Sequence, residues 1–325
     1  MHTTLLQPET KKLELDEKLV LEGGYTLPSV TVQYTTIGEL SAGKDNVIWI
    51  FHALTGNSNP LDWWSGVFGK DAAFDPEHDF IICANVLGSC YGTTGPENFD
   101  FPVITVHDMV VLHQRLRDHL GIRHVKLGIG GSLGGQQLLE WAVQEPDFFE
   151  NIVPIATNAV HSPWGIAFNE AQRMALKNPD LEAGLEAARA IAMLSYRHYN
   201  AFELKQKDHD QRWDEFSASG YVRHQGEKLR KRFTPYSYYY LSKAMDSHNL
   251  GRHHISTREA LESINSRTLV LGLDSDVLFP LTEQQFINSC IPNSRLQVIS
   301  TNYGHDGFLI EYEQLNTLLK NFRNE

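Results

Sequence analysis

Cysteine is scarce in this chain of 325 residues: Cys83, Cys90 and Cys290 are the only three. An odd count, without a CxxC pair or zinc-type spacing, argues against a disulfide framework and for a reducing compartment. Positive charge is also short. Lys and Arg total 28 against 40 Asp and Glu, a net charge of -12, so the overall field repels polyanions and nucleic acid is not an expected partner. No apolar run approaches the roughly 18 residues that cross a bilayer, and the stretch from Met1 to Lys12 lacks a basic segment followed by an apolar one. The expectation is a soluble, unexported, cytoplasmic protein with no membrane partner. What the chain does have is 42% hydrophobic and 10% aromatic residues, enough for a large core without staples. At roughly 150 residues per domain, its length corresponds to about two domain-sized units, or to one domain with a sizeable insertion.

The second alternative fits the pattern along the chain. Leu13 to Leu21 alternates apolar and polar residues and Val30 to Ile37 is rich in β-branched residues, which predicts two early antiparallel strands around Gly23-Gly24. Short continuous apolar runs follow at Val47 to Phe51, Phe80 to Ala84, Val125 to Ile129 and Ile152 to Ala156, as expected of strands buried on both faces. Amphipathic helical stretches lie between them, notably Val106 to Leu120 and Leu133 to Gln144. From residue 163 to 255 the sequence is helical, polar and aromatic, with breaks at Pro179 and Gly184. The alternation then resumes with Thr268 to Leu273, a helix from about Thr282, Arg295 to Ile299, and a terminal helix from about Gly307 to Phe322. The reading is an α/β fold: a doubly wound, mostly parallel sheet formed by residues 1–162 and 256–325, interrupted by a helical cap at 163–255.

Within this pattern, Gly130-Gly131-Ser132-Leu133-Gly134 runs from a buried strand into a helix and contains G-x-S-x-G. Flanking glycines permit a sharp, crowded turn that lifts the serine hydroxyl above the strand end and aims the Leu133 N–H at the same space, at a helix amino terminus. A serine hydroxyl is a weak nucleophile near neutral pH, so a histidine base and an orienting carboxylate are required. The chain has 15 histidines, but in a doubly wound hydrolase sheet the order is serine, acid, histidine, each on a loop beyond a strand's carboxyl end. Asp276 and His305 meet that condition, and Ser132, Asp276 and His305 form the predicted triad. Asp274 is the alternative acid, and either aspartate could instead cap the helix that comes next. The second oxyanion donor is expected in His52-Ala53-Leu54-Thr55-Gly56, from the N–H of Leu54 or, next, Thr55. His52 reads as part of a backbone turn, not as a base.

Longer motifs carry a resemblance. His52-Ala53-Leu54-Thr55-Gly56, Cys83-Ala84-Asn85-Val86-Leu87-Gly88, Cys90-Tyr91-Gly92-Thr93-Thr94-Gly95-Pro96, Gly130-Gly131-Ser132-Leu133-Gly134-Gly135, Leu139-Glu140-Trp141-Ala142, Ser237-Tyr238 and Gly304-His305-Asp306-Gly307-Phe308-Leu309 occur in one order along the chain. In these the sequence resembles the homoserine O-acetyltransferases of methionine biosynthesis, α/β-hydrolase-fold enzymes that use acetyl-CoA. The resemblance implies the same triad, Ser132, Asp276 and His305, and ping-pong transfer of acetyl to L-homoserine, with acetyl-CoA as co-substrate and neither a metal nor a tightly bound cofactor. It also implies substrate contacts for Arg189, in Gly184-Leu185 with Ala188-Arg189, and for Asp306. From the residues alone these read as an exposed helix charge and a helix N-cap. A homodimer through the cap helices is a further implication. Relatives of this kind also use succinyl-CoA or accept serine, and the same triad serves an esterase or thioesterase. The chain departs from the family where Tyr196-Arg197 runs on to Glu203, Leu204 and Lys205-Gln206-Lys207. Because CoA is a polyanion, local positive charge is needed; Lys228, Arg230, Lys231 and Arg232 are the first candidates, or else a solvated helix face.

Overall fold

A computed structural model describes residues 7–325; residues 1–6, part of the amino-terminal stretch considered for targeting, lie outside them. The apolar runs become the strands β1 (Glu9–Leu15), β4 (Val30–Ile37), β5 (Val47–Phe51), β6 (Phe80–Ala84), β7 (Val125–Gly131), β8 (Phe149–Ile155), β9 (Arg267–Leu273) and β10 (Ser294–Ile299), joined in one sheet of order β1-β4-β6-β5-β7-β8-β9-β10. The pairs β1/β4 and β4/β6 are antiparallel, while β6/β5 and every pair beyond it in the sheet are parallel. A small separate hairpin, β2 (Leu19–Val20) with β3 (Thr26–Leu27), closes around Gly23-Gly24. The first strand therefore starts and stops earlier than Leu13 to Leu21: polar residues 9–12 pair through their backbone at the sheet edge, where burial is not needed.

Along β5, Val47, Trp49 and Phe51 point into one core and Ile48 and Ile50 into the other, and all five are buried. This is why the run is continuously apolar. The helices α1 (Leu61–Trp64), α2 (Val106–Leu120), α3 (Leu133–Gln144), α9 (Thr257–Glu262), α10 (Leu281–Cys290) and α11 (Tyr312–Arg323) accompany the sheet. The start of α2 is fixed by a capping box: Thr105 Oγ1 accepts the Asp108 N–H and Asp108 accepts the Thr105 N–H at 2.9 Å. The terminal helix is divided. A short 3-10 turn over Gly304–Leu309 precedes α11, because this segment first has to carry side chains at the strand ends before the chain returns to cover the sheet.

Between β8 and β9 lie α4 (Pro163–Ala175), α5 (Leu181–Tyr196), α6 (Tyr199–Lys205), α7 (Ser217–Arg230) and α8 (Pro235–Asp246). Entry and exit of this insertion are stitched together: His161 N–H donates to His248 O and Leu250 N–H to Ala159 O, around a bridge between Val160 and Asn249. Pro179 separates α4 from α5, but Gly184 is not a break. It lies inside α5, where a Cβ would come within 2.9 Å of the Ala175 carbonyl oxygen, so glycine lets the two helices meet. No helix among the described residues is long and apolar enough to cross a membrane.

Candidate active site

Ser132 sits between β7 and α3 with φ 57° and ψ -125°, a conformation costly for any residue with a Cβ. Four bonds hold it there. Its N–H donates to Ile155 O at 3.0 Å, and its carbonyl accepts from Gly135 N, Gln136 N and Thr157 Oγ1, the last at 2.8 Å. The glycines are required by contact: a Cβ on Gly134 would lie 2.1 Å from Phe51 O, and one on Gly130 2.4 Å from Gly134 O. Hence α3 starts directly against the end of β5, and because Phe51 is in register with Gly130 the loops after β5 and β7 leave the sheet side by side.

The predicted acid and base lie beyond the carboxyl ends of β9 and β10, Asp276 in the loop after β9 and His305 in the 3-10 turn after β10. His305 Nδ1 lies 2.7 Å from Asp276 Oδ2, while Asp276 Oδ1 accepts the N–H groups of Leu278 and Phe279 at 2.8 and 2.9 Å. The alternative acid points elsewhere: Asp274 accepts from Ser300 Oγ and Thr301 N. Ser132, Asp276 and His305 are all buried. The His305 ring stacks on Phe279, with centroids 5.1 Å apart, and contacts Phe308, whose ring in turn lies where a Cβ on Gly131 would be. Burial disfavours the imidazolium, but the charge and hydrogen bond of Asp276, with Asp306 behind, outweigh it and hold the His305 pKa above the ordinary histidine value.

Beyond β5, the Gly56 N–H donates to Ala53 O at 2.8 Å, closing a turn with Leu54 and Thr55 at its centre. Buried His52 braces this turn. Its Nε2 accepts the Val86 N–H at 3.2 Å, which leaves Nδ1 as the donor to Ala53 O at 2.9 Å. Burial holds the His52 pKa down to about 4, so the ring is neutral and serves the backbone.

Arg189 is half-buried on α5 with its guanidinium over the Tyr196 ring, 5.2 Å from the centroid. Asp306, next to His305, faces an ion pair: Arg197 Nε is 3.0 Å from Asp306 Oδ2. The Tyr196 ring lies 5.7 Å from the His305 ring. Thus the end of α5 brings Arg189 and Tyr196 toward the turn that holds His305 and Asp306, and Gly304, at φ +63°, permits that approach: a Cβ there would come within 2.8 Å of His198 N.

Residues 46–312 match the family model for the alpha/beta hydrolase fold. A homoserine O-acetyltransferase of Cyclobacterium marinum is 47% identical, with 94% of this chain and 93% of that protein covered. One of Chlorobium luteolum is 42% identical, covering 98% and 95%. The chain belongs to the homoserine O-acetyltransferase family. Among solved structures, homoserine O-acetyltransferase from Staphylococcus aureus superposes with a TM-score of 0.86 at 26% identity, covering 98% of this chain and 96% of that one. Esterase E22 reaches a TM-score of 0.89 at 20% identity, covering 98% and 100%, a likeness of fold alone.

For this family member, sequence reasoning missed Arg197, which lies just before the Glu203 to Lys207 departure from the family pattern, and the aromatic support from Tyr196, Phe279 and Phe308. Ring contacts across elements leave no local signal, although Phe279 and Phe308 each come three positions after a candidate residue. The basic stretch of the insertion divides: Arg230 is taken up by Glu182 and Glu186, Lys228 and Lys231 are exposed, and Arg232 reaches back to the loop after β5.

Proposed function

We propose that the protein is a homoserine O-acetyltransferase that moves an acetyl group from acetyl-CoA to the hydroxyl of L-homoserine through an acyl-serine. The identity of 47% with a homoserine O-acetyltransferase over nearly the whole of both chains carries this reading; the Asp276–His305 hydrogen bond beside the Ser132 turn supports its chemistry. His305 takes the Ser132 proton as Oγ attacks the thioester carbon, and the electron pair of the carbonyl moves onto its oxygen, facing the N–H groups of Leu133 and Leu54. Collapse expels the CoA thiolate, which receives the proton from His305. Homoserine then binds, its carboxylate to Arg189 and its ammonium to Asp306. Its hydroxyl gives a proton to His305 while attacking the acetyl-serine, and collapse releases O-acetylhomoserine and returns the proton to Ser132.

Transfer in place of hydrolysis requires that water be excluded from the acyl-serine, and the helical insertion is the natural lid. The assignment extends to a cytoplasmic homodimer joined through insertion helices, which light scattering on the eluting protein tests. The decisive assay follows CoA-thiol release from acetyl-CoA and succinyl-CoA, each with homoserine, serine or no acceptor. Release from acetyl-CoA that depends on homoserine is expected. Release indifferent to any amino acid replaces the transferase with a thioesterase.

A further inference from the structure

Arg232, in the link between α7 and α8, crosses from the insertion to the loop after β5. Its Nη1 donates to Thr55 O at 2.6 Å and to Tyr91 Oη at 2.8 Å, and Nη2 lies 3.4 Å from Thr55 Oγ1. The adjacent Phe233 is buried edge-on against Tyr91, with centroids 5.8 Å apart, which fixes where Arg232 leaves the insertion.

The bonds form a chain that ends at Leu54. A trans peptide points its C=O and N–H in opposite directions, so holding one end aims the other. The Thr55–Gly56 peptide is held at both ends, its carbonyl by Arg232 and its N–H by Ala53 O. That same Ala53 oxygen, which also accepts from His52 Nδ1, belongs to the peptide whose N–H is that of Leu54. We propose that Arg232 is a positioning residue for acylation: by pinning the Thr55 carbonyl it sets the Ala53–Gly56 turn and aims the Leu54 N–H at the developing oxyanion. This rests on the role of Leu54 in the proposed transfer, and it makes the oxyanion hole complete only when the insertion is seated on the core.

The test uses p-nitrophenyl acetate, whose burst reports acylation of Ser132 whatever the acceptor, alongside the acetyl-CoA and homoserine assay. Outright loss of one oxyanion donor costs about 100- to 1,000-fold, so a donor left in place but misaimed in Arg232→Ala should slow the burst about tenfold, with KM for homoserine within about twofold. Because Arg232 is exposed, added guanidinium at millimolar concentration should restore much of the rate, and Arg232→Lys, which keeps one donor direction, should lie between. An unchanged burst overturns the proposal; so does a burst that falls only with the melting temperature and is not restored by guanidinium. Unchanged p-nitrophenyl acetate kinetics with a raised KM for acetyl-CoA would make Arg232 a CoA contact instead. Homoserine-independent CoA release would refute the acceptor assignment and leave the burst result standing.

Discussion

Asp276 and His305 are 29 residues apart in sequence and 2.7 Å apart at Oδ2 and Nδ1. The carboxylate's other oxygen is committed to two backbone N–H groups of its own loop, so it is anchored and cannot turn away. In the proposed transfer, an anchored acceptor on Nδ1 leaves the opposite ring nitrogen to act as the base.

Activity should therefore rise with pH along a limb set by His305. Its pKa is held above the ordinary histidine value, so the neutral base needed for attack accumulates only above that pH. The stability sign is opposite: protonation of His305 favours the folded state, an advantage fully present below the unfolded-state pKa and lost as pH rises through the folded one. Asp276→Asn should move the acid limb of kcat/KM to lower pH, since burial is then opposed only by the charge of Asp306, and reduce kcat by about 1,000- to 10,000-fold. A pH–rate profile for both proteins checks the shift. Their difference in melting temperature should shrink as pH rises from 6 toward 8.

Gly134→Ala tests the junction of β5 and α3. Its methyl would sit 2.1 Å from Phe51 O and 2.8 Å from the Phe51 carbonyl carbon, both backbone atoms that have nowhere to go. Overpacking of this kind costs about 1–3 kcal/mol, and here the upper end is expected. Denaturant unfolding should register that loss, and the acylation burst should fall as well, because moving α3 carries the Leu133 N–H with it.

The elements that were legible in the sequence are those whose signals are local. Val47 to Phe51, Val106 to Leu120 and Leu133 to Gln144 have the predicted bounds because apolar pattern, a cap at Thr105 and the glycines around Ser132 mark both their ends. Asp276 and His305, 2.7 Å apart, could be paired from the order of the strands they follow. Glu9 to Lys12 escaped because an edge strand is specified by its partner's backbone. The Arg197–Asp306 pair and the reach of Arg232 to Thr55, 177 residues away, escaped because only packing of the insertion on the core creates them.

Asp306→Asn and Arg189→Ala should each raise KM for homoserine about tenfold or more while leaving the p-nitrophenyl acetate burst within about twofold, because a hydrogen bond to a charged anchor contributes on the order of 1.5–3 kcal/mol. Arg197→Ala separates anchoring from architecture. It frees the Asp306 oxygen that Arg197 now faces at 3.0 Å. If that carboxylate holds the substrate ammonium, homoserine should compete less and its KM should fall or hold steady; a rise matching that of Asp306→Asn would mean that Asp306 serves to anchor Arg197.

A charge cluster ties α4 to α8 within the insertion. Arg173, on α4, lies 2.6 Å from Asp246 and 2.8 Å from Glu170, donates to Ser242 Oγ, and is buried; Asn169 Nδ2 also donates to Asp246. Burial holds the Asp246 carboxyl above the ordinary carboxylate range in spite of these partners. Arg173→Met would leave that carboxylate uncompensated, a loss of about 3–5 kcal/mol. With Arg173 gone the Asp246 pKa rises further, so the deficit is greatest near neutrality and shrinks on acidification as Asp246 takes up a proton. Thermal unfolding of Arg173→Met at pH 7.5 and pH 5.5 should show this, and Asp246→Asn in the same chain should recover part of the loss at the higher pH. If α4 and α8 form the lid over Ser132, the single variant should also leak, with CoA release in the absence of homoserine rising relative to transfer.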